Sequence, residues 1–136
     1  MKKTVLLVDD DVDILVVLTE HLMAACDCEI VPFSSPFDAL DYLTNGNDCH
    51  IIVADERMPH MSGIEFLRRA VDFGYCGHLF MFTGFSCDHL AFALLQVEIK
   101  SKNSRLRSII IDKPELAAIA REVSEALKIS GGEGES

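Results

Sequence analysis

Five residues carry the side-chain chemistry of a polar reaction centre, and each lies at the end of a short apolar run. Asp9 and Asp10 follow Thr4 to Val8, Asp55 follows Ile51 to Ala54, Thr83 follows His78 to Phe82, and Lys113 lies just beyond Ser108 to Ile111. Three carboxylates gathered with a lysine need a physical reason. Two like charges about 4 Å apart repel by roughly 4 kcal/mol at an effective dielectric of about 20. Such a cluster is unfavourable unless a cation occupies it or a carboxylate stays protonated. Hard oxygen ligands select Mg²⁺ or Mn²⁺, and a site of carboxylates and water is usual where a phosphoryl group is handled. The Lys113 ammonium and the Thr83 hydroxyl supply a positive charge and a hydrogen-bond donor for phosphoryl oxygens. A carboxylate can also be the acceptor, forming an acyl phosphate. Asp55 is the best candidate, because it stands singly after an uncharged strand.

The apolar runs must bring these groups together. Thr4 to Val8 and Ile51 to Ala54 lack polar alternation, as strands buried on both faces do. Glu29 to Phe33, His78 to Phe82 and Ser108 to Ile111 complete five strands. Helices are predicted over about 12–25, from Pro36 to Asn45-Gly46, and over about 62–72, 86–97 and 114–129. Val12, Leu15, Val16, Leu22 and Met23 recur at helical spacing in the first, and Phe37, Leu40 and Leu43 supply the buried face of the second. Asp11 and Ser35-Pro36 are helix-start signals. Strands alternating with helices give a doubly wound α/β fold with a five-stranded parallel sheet flanked by five helices. In such a sheet ligands sit beyond the carboxyl ends of the strands. All five chemical residues fall there.

With 136 residues, one domain is expected over 1–130, followed by a disordered Gly-rich tail over 131–136. A net charge of −10 argues against direct nucleic-acid binding, which needs clustered Lys and Arg. Lys100, Lys102, Arg105 and Arg107 read as a solvated loop. No apolar run is long enough for membrane insertion. Five cysteines without framework spacing, and no signal peptide, predict reduced thiols and a cytoplasmic location. Cys26-Asp27-Cys28 has the wrong spacing for a zinc knuckle.

Val8-Asp9-Asp10, Asp55 with Met58-Pro59 and Gly63, Thr83-Gly84 and Lys113-Pro114 together resemble a response-regulator receiver domain, from about Val5 to Ile129. The resemblance implies a flavodoxin-like fold with strand order 2-1-3-4-5. It implies that Asp55 accepts a phosphoryl group from a sensor histidine kinase or a histidine phosphotransfer protein. It further implies that Asp10, Asp55 and the backbone carbonyl of Arg57 bind Mg²⁺, with Asp9 contacting it directly or through water. Thr83 and Lys113 would grip the phosphoryl oxygens. Signalling would run through a downstream protein target that the sequence does not name, and the chain would be no enzyme beyond promoting its own phosphorylation and dephosphorylation. The chain closing on Gly131 to Ser136 points to a stand-alone receiver, without a DNA-binding helix-turn-helix.

The chain departs from the family pattern at three places. Ile110 stands where the family usually has the Tyr or Phe that turns inward with the threonine, which puts the Thr83–Ile110 switch in question. The interval from Thr83 to Lys113 is longer than usual by about two helical turns. The extra residues fall in 98–107, beside the surface where receivers pair, so a monomer or weak homodimer is expected. By the same resemblance Arg57 and Phe85, two positions past Asp55 and Thr83, should flank the path of an attacking water. Phe85→Ala is expected to speed loss of the phosphoryl group, read as the decay of the phosphorylated chain by mass spectrometry.

Two other readings compete. Leu6-Leu7-Val8-Asp9-Asp10-Asp11 is similar to the strand-end nucleophile motif of haloacid-dehalogenase phosphohydrolases. That family needs a late acidic pair and usually a cap domain, and Asp55-x-x-Met-Pro would go unexplained. The third reading is a receiver-like scaffold without phospho-switching, motivated by Ile110 and the long 98–107 segment. His60 reads as an exposed loop histidine, and Met58 and Met61 as packing residues. Leu90, Phe92, Leu94, Leu95 and Val97 exceed one buried stripe, leaving room for a partner surface.

Overall fold

The computed structural model describes the backbone at residues 3–75, 77–83, 94, 97, 108–112 and 116–135, and side chains at 3–75, 77–81, 94, 97 and 118–128. Five strands form one parallel sheet: β1 (Lys3–Val8), β2 (Cys28–Phe33), β3 (Ile51–Asp55), β4 (His78–Thr83) and β5 (Ser108–Asp112). Their spatial order is β2-β1-β3-β4-β5. This is the flavodoxin-like order expected from the sequence. The described helices are α1 (Val12–Ala25), α2 (Pro36–Thr44), α3 (Gly63–Asp72) and α4 (Leu116–Glu135). Leu94 and Val97 are also helical, and both are exposed. The rest of the helix expected over 86–97, the 98–107 segment with its four basic residues, and the Gly84 and Phe85 positions lie outside the described residues. The final helix continues to Glu135, through the glycines that the sequence assigns to a tail.

Strand alternation divides the core in two. Val5, Leu7, Ile51, Val53 and Phe80 face α1 and α4, meeting Leu15, Leu18, Leu22, Ile119 and Val123. Leu6, Val8, Ile52, Ala54, Leu79 and Met81 face α2 and α3, meeting Leu40, Ile64, Phe66 and Leu67. Successive side chains point to opposite faces, so a strand covered on both sides must be apolar at every position. That is why the central strands read as unbroken runs.

Two helix faces differ from the sequence reading. On α1 the buried stripe is Leu15, Leu18 and Leu22, whereas Val12, Val16 and Met23 are exposed. Val16 and Met23 each follow a stripe member by one residue, a rotation of about 100° around the axis. On α2, Pro36, Ala39 and Leu40 are buried, while Phe37 is 46% exposed. The helix starts are as expected. Asp11 caps α1 by accepting the N–H of Asp13 and Ile14, and Ser35 caps α2 with Pro36 in its first turn.

Candidate functional site

Register brings the reactive residues to one edge. Val8 pairs with Ala54, so the next residues, Asp9 and Asp55, stand side by side at the carboxyl end of β1 and β3. Asp55 pairs with Phe82, placing Thr83 one step beyond it on β4. Thr83 pairs in turn with Asp112, the residue before Lys113. Neighbouring strands are about 4.8 Å apart, so this register puts Asp9, Asp55 and Thr83 along a single rim. The Thr83 and Ile110 side chains and all of Lys113 lie outside the described residues.

Within that rim, carboxylate oxygens of Asp9, Asp10 and Asp55 all lie within 4.8 Å of one another. Asp9 is 1% exposed, Asp55 is half-buried and Asp10 faces solvent. The Asp9 backbone N–H donates to the Phe33 carbonyl at 3.1 Å. One of its carboxylate oxygens, Oδ1, accepts the Asp11 N–H at 2.8 Å. The other, Oδ2, is buried and has no hydrogen-bond partner among the described residues. Burial pushes the Asp9 carboxyl up to about 7, with the charges of Asp55, Asp10 and Asp11 adding to the rise against the opposing Asp11 hydrogen bond. Burial likewise raises Asp55 to about 6, opposed by backbone hydrogen bonds from Arg57 and Glu56 and reinforced by Asp10. A buried carboxylate oxygen without a partner among the described residues, on a side chain clustered with two more carboxylates, is an electrostatic deficit that a divalent cation would remove. The donor set fits a hard ion.

The loop after β3 is held as a rigid frame. Gly63 N–H donates to the Glu56 carbonyl at 3.0 Å, and Ile64 N–H donates to Glu56 Oε1 at 2.9 Å. Ser62 caps α3 by accepting the Glu65 N–H at 3.2 Å. Met61 is buried and Met58 packs on the core, as the packing reading has it. His60 is exposed and adopts φ +69°, a left-handed turn that redirects the chain towards α3. Arg57 is exposed in the same loop, and its N–H reaches back to the Asp55 carboxylate.

Two contributors escape a reading by spacing. Glu56 staples the loop to the helix start across eight positions, longer than the local capping patterns that mark helix starts. Gly63 does more than break the strand-to-helix path. A Cβ there would lie 2.5 Å from the Asp55 carbonyl oxygen and 2.9 Å from Glu56 Cα. Gly63→Ala is therefore expected to push the Asp55 backbone off its position. The cost should be about 1–3 kcal/mol of stability, as in other overpacked sites, with a matching fall in Mg²⁺ affinity; urea unfolding and a Mg²⁺ titration would measure both.

Comparison with known proteins agrees with this arrangement. The receiver domain of response regulators matches residues 5–102. The transcriptional regulatory protein FlgR of Helicobacter pylori is 40% identical over 62 residues, 46% of this chain and 16% of its own length. The chain thus spans a small part of that relative. A CheY-like receiver domain protein from Methanospirillum hungatei superposes with a TM-score of 0.76 at 20% identity, over 100% of both chains. A response regulator receiver protein from Sinorhizobium medicae does so with 0.74 at 25%, over 93% of this chain and 95% of its own. Strand order, strand-end aspartates and the matched stretch agree, and on that ground the chain belongs to the response regulator receiver domain family.

Proposed function

We propose that this chain is a phosphoryl-accepting signalling module in which Asp55 is the acceptor. The observation that carries the reading is the cluster of Asp9, Asp10 and Asp55, in which one buried oxygen of Asp9 has no partner among the described residues. Asp55 is the member suited to attack, because it is half-buried at the rim while Asp9 is enclosed. A carboxylate oxygen of Asp55 forms the bond to phosphorus as the bond from phosphorus to a phosphohistidine nitrogen breaks, and the imidazole leaves with the electron pair. Asp10, Asp55 and the Arg57 carbonyl, with Asp9 beside them, would hold a Mg²⁺ or Mn²⁺ ion, which would supply charge neutralisation at the phosphoryl oxygens. Thr83 at the end of β4, and Lys113 following β5, complete the oxygen contacts.

The donor is a histidine kinase or a histidine phosphotransfer protein, and the output is a change in protein binding. In this reading the chain is not an enzyme acting on a separate substrate; it promotes the gain and loss of its own phosphoryl group. The added group brings about −1.5 to −2 charges to an acidic edge, so retention depends on the cation. Incubation with acetyl phosphate, read by intact mass, tests this. One phosphoryl adduct is expected with Mg²⁺ and a strongly reduced yield in EDTA. No adduct under either condition would leave the scaffold reading in its place.

A further inference from the structure

We propose that Cys26 and Cys28 are a reversible oxidation site, at which a low-molecular-weight disulfide such as oxidised glutathione closes a Cys26–Cys28 disulfide within the chain. The two sulfurs are 3.0 Å apart, and neither is bridged. A disulfide needs about 2.05 Å, so the pair lies about 1 Å from bonding distance. The fold holds them there from both sides. Cys26 is the C-cap of α1; its backbone N–H and its thiol both donate to the Leu22 carbonyl, at 3.0 and 3.2 Å. Cys28 is the first residue of β2, pairs with Lys3 in the sheet and is buried beneath α1. The residue between them, Asp27, faces solvent.

Accessibility orders the steps. Half-buried Cys26 is reached first, and buried Cys28 second. The Cys26 thiolate, having lost its proton to water, attacks a sulfur of the small disulfide and expels one thiolate, leaving a mixed disulfide. Deprotonated Cys28 then attacks the Cys26 sulfur and expels the second thiolate. Two protein thiols lose two protons and two electrons, and one small disulfide becomes two small thiols. A ring closed through one intervening residue gains little from loop entropy. The bond is therefore labile, and reduced glutathione reverses it. Cys49 provides an internal control. Burial pushes its thiol up to about 12, which keeps it protonated and unreactive.

The experiment uses the whole chain. The protein is incubated with oxidised glutathione, quenched with an alkylating reagent in denaturing buffer, where every remaining thiol reacts, and digested with trypsin. The peptide from Thr4 to Arg57 carries Cys26, Cys28 and Cys49 and no other cysteine. It is expected to carry one alkyl group, on Cys49, and to have lost two hydrogens. Subsequent treatment with reduced glutathione should restore three alkyl groups. In Cys28→Ser the reaction should stop at a glutathione adduct on Cys26. Three alkyl groups after oxidation, a lasting glutathione adduct in the unaltered chain, a bond that includes Cys49, or a disulfide that survives excess reduced glutathione would each overturn the proposal.

Discussion

Asp55→Asn is expected to abolish phosphoryl transfer to this chain, with a loss of about a hundredfold or more in adduct yield, because an amide is a far poorer nucleophile than a carboxylate. The substitution keeps the side chain's size and one oxygen that can accept from the Arg57 and Glu56 N–H groups, which oppose the rise of the Asp55 carboxyl. Loss of the adduct would then report chemistry rather than collapse of the loop. The same experiment separates two reaction classes. In a haloacid-dehalogenase-type hydrolase the labelled residue would be Asp9, and Asp55→Asn would leave the label in place. The geometry disfavours that class. Asp9 is 1% exposed, with one oxygen engaged by the Asp11 N–H, so a bulky phosphate donor has little access to it. A label that persists in Asp55→Asn and disappears in Asp9→Asn would reverse the assignment. Circular dichroism of each variant, compared with the parent, checks that the fold is retained.

Much of the architecture was legible because burial on both faces writes itself directly into the central strands. Val5 to Val8 and Ile51 to Ala54 are buried throughout, and no polar residue interrupts either run. Strand ends were legible for the same reason, since a carboxylate after such a run marks where the core stops. Helix faces were less so. Val12, Val16 and Met23 are as apolar as Leu15 and Leu22, and helical spacing alone admits two overlapping stripes on α1. Only packing against the sheet and α4 selects Leu15, Leu18 and Leu22. The loop after β3 shows a different limit. Its punctuation by Pro59 and Gly63 was readable, but Glu56 closing on Ile64 and the contact that excludes a Cβ at Gly63 are nonlocal facts. Likewise the Cys26–Cys28 approach is set by the direction in which β2 leaves α1. Spacing could exclude a zinc knuckle without showing two sulfurs in contact.

The cluster that makes this site chemically able should also make the metal-free protein less stable, and Asp9→Asn tests that conflict. Asp9 folds with its carboxyl raised from 3.8 to about 7. A group whose folded pKa lies above its unfolded value contributes stability that is complete below the unfolded pKa and is lost as pH rises through the folded one. For Asp9 that window runs from about 4 to about 7, and above it the whole penalty of a buried carboxylate is present. Asparagine carries no such penalty. Its Oδ1 can still accept the Asp11 N–H, and its uncharged amide stands in the cluster where the parent places a third carboxylate. At about 1.4 kcal/mol per pK unit, Asp9→Asn in EDTA should be more stable than the parent by about 2–4 kcal/mol near pH 8. The difference should shrink toward zero as the pH falls toward about 4. Mg²⁺ should act unequally on the two proteins. It binds the folded parent and stabilises it in proportion to the logarithm of its concentration, while the variant, with one carboxylate fewer, responds much less. Urea unfolding at several pH values, with EDTA and with Mg²⁺, measures all of this. A variant no more stable than the parent near pH 8 in EDTA would show that a charged Asp9, buried beside two more carboxylates, carries no penalty. The ground for reading their cluster as a cation site would then be gone.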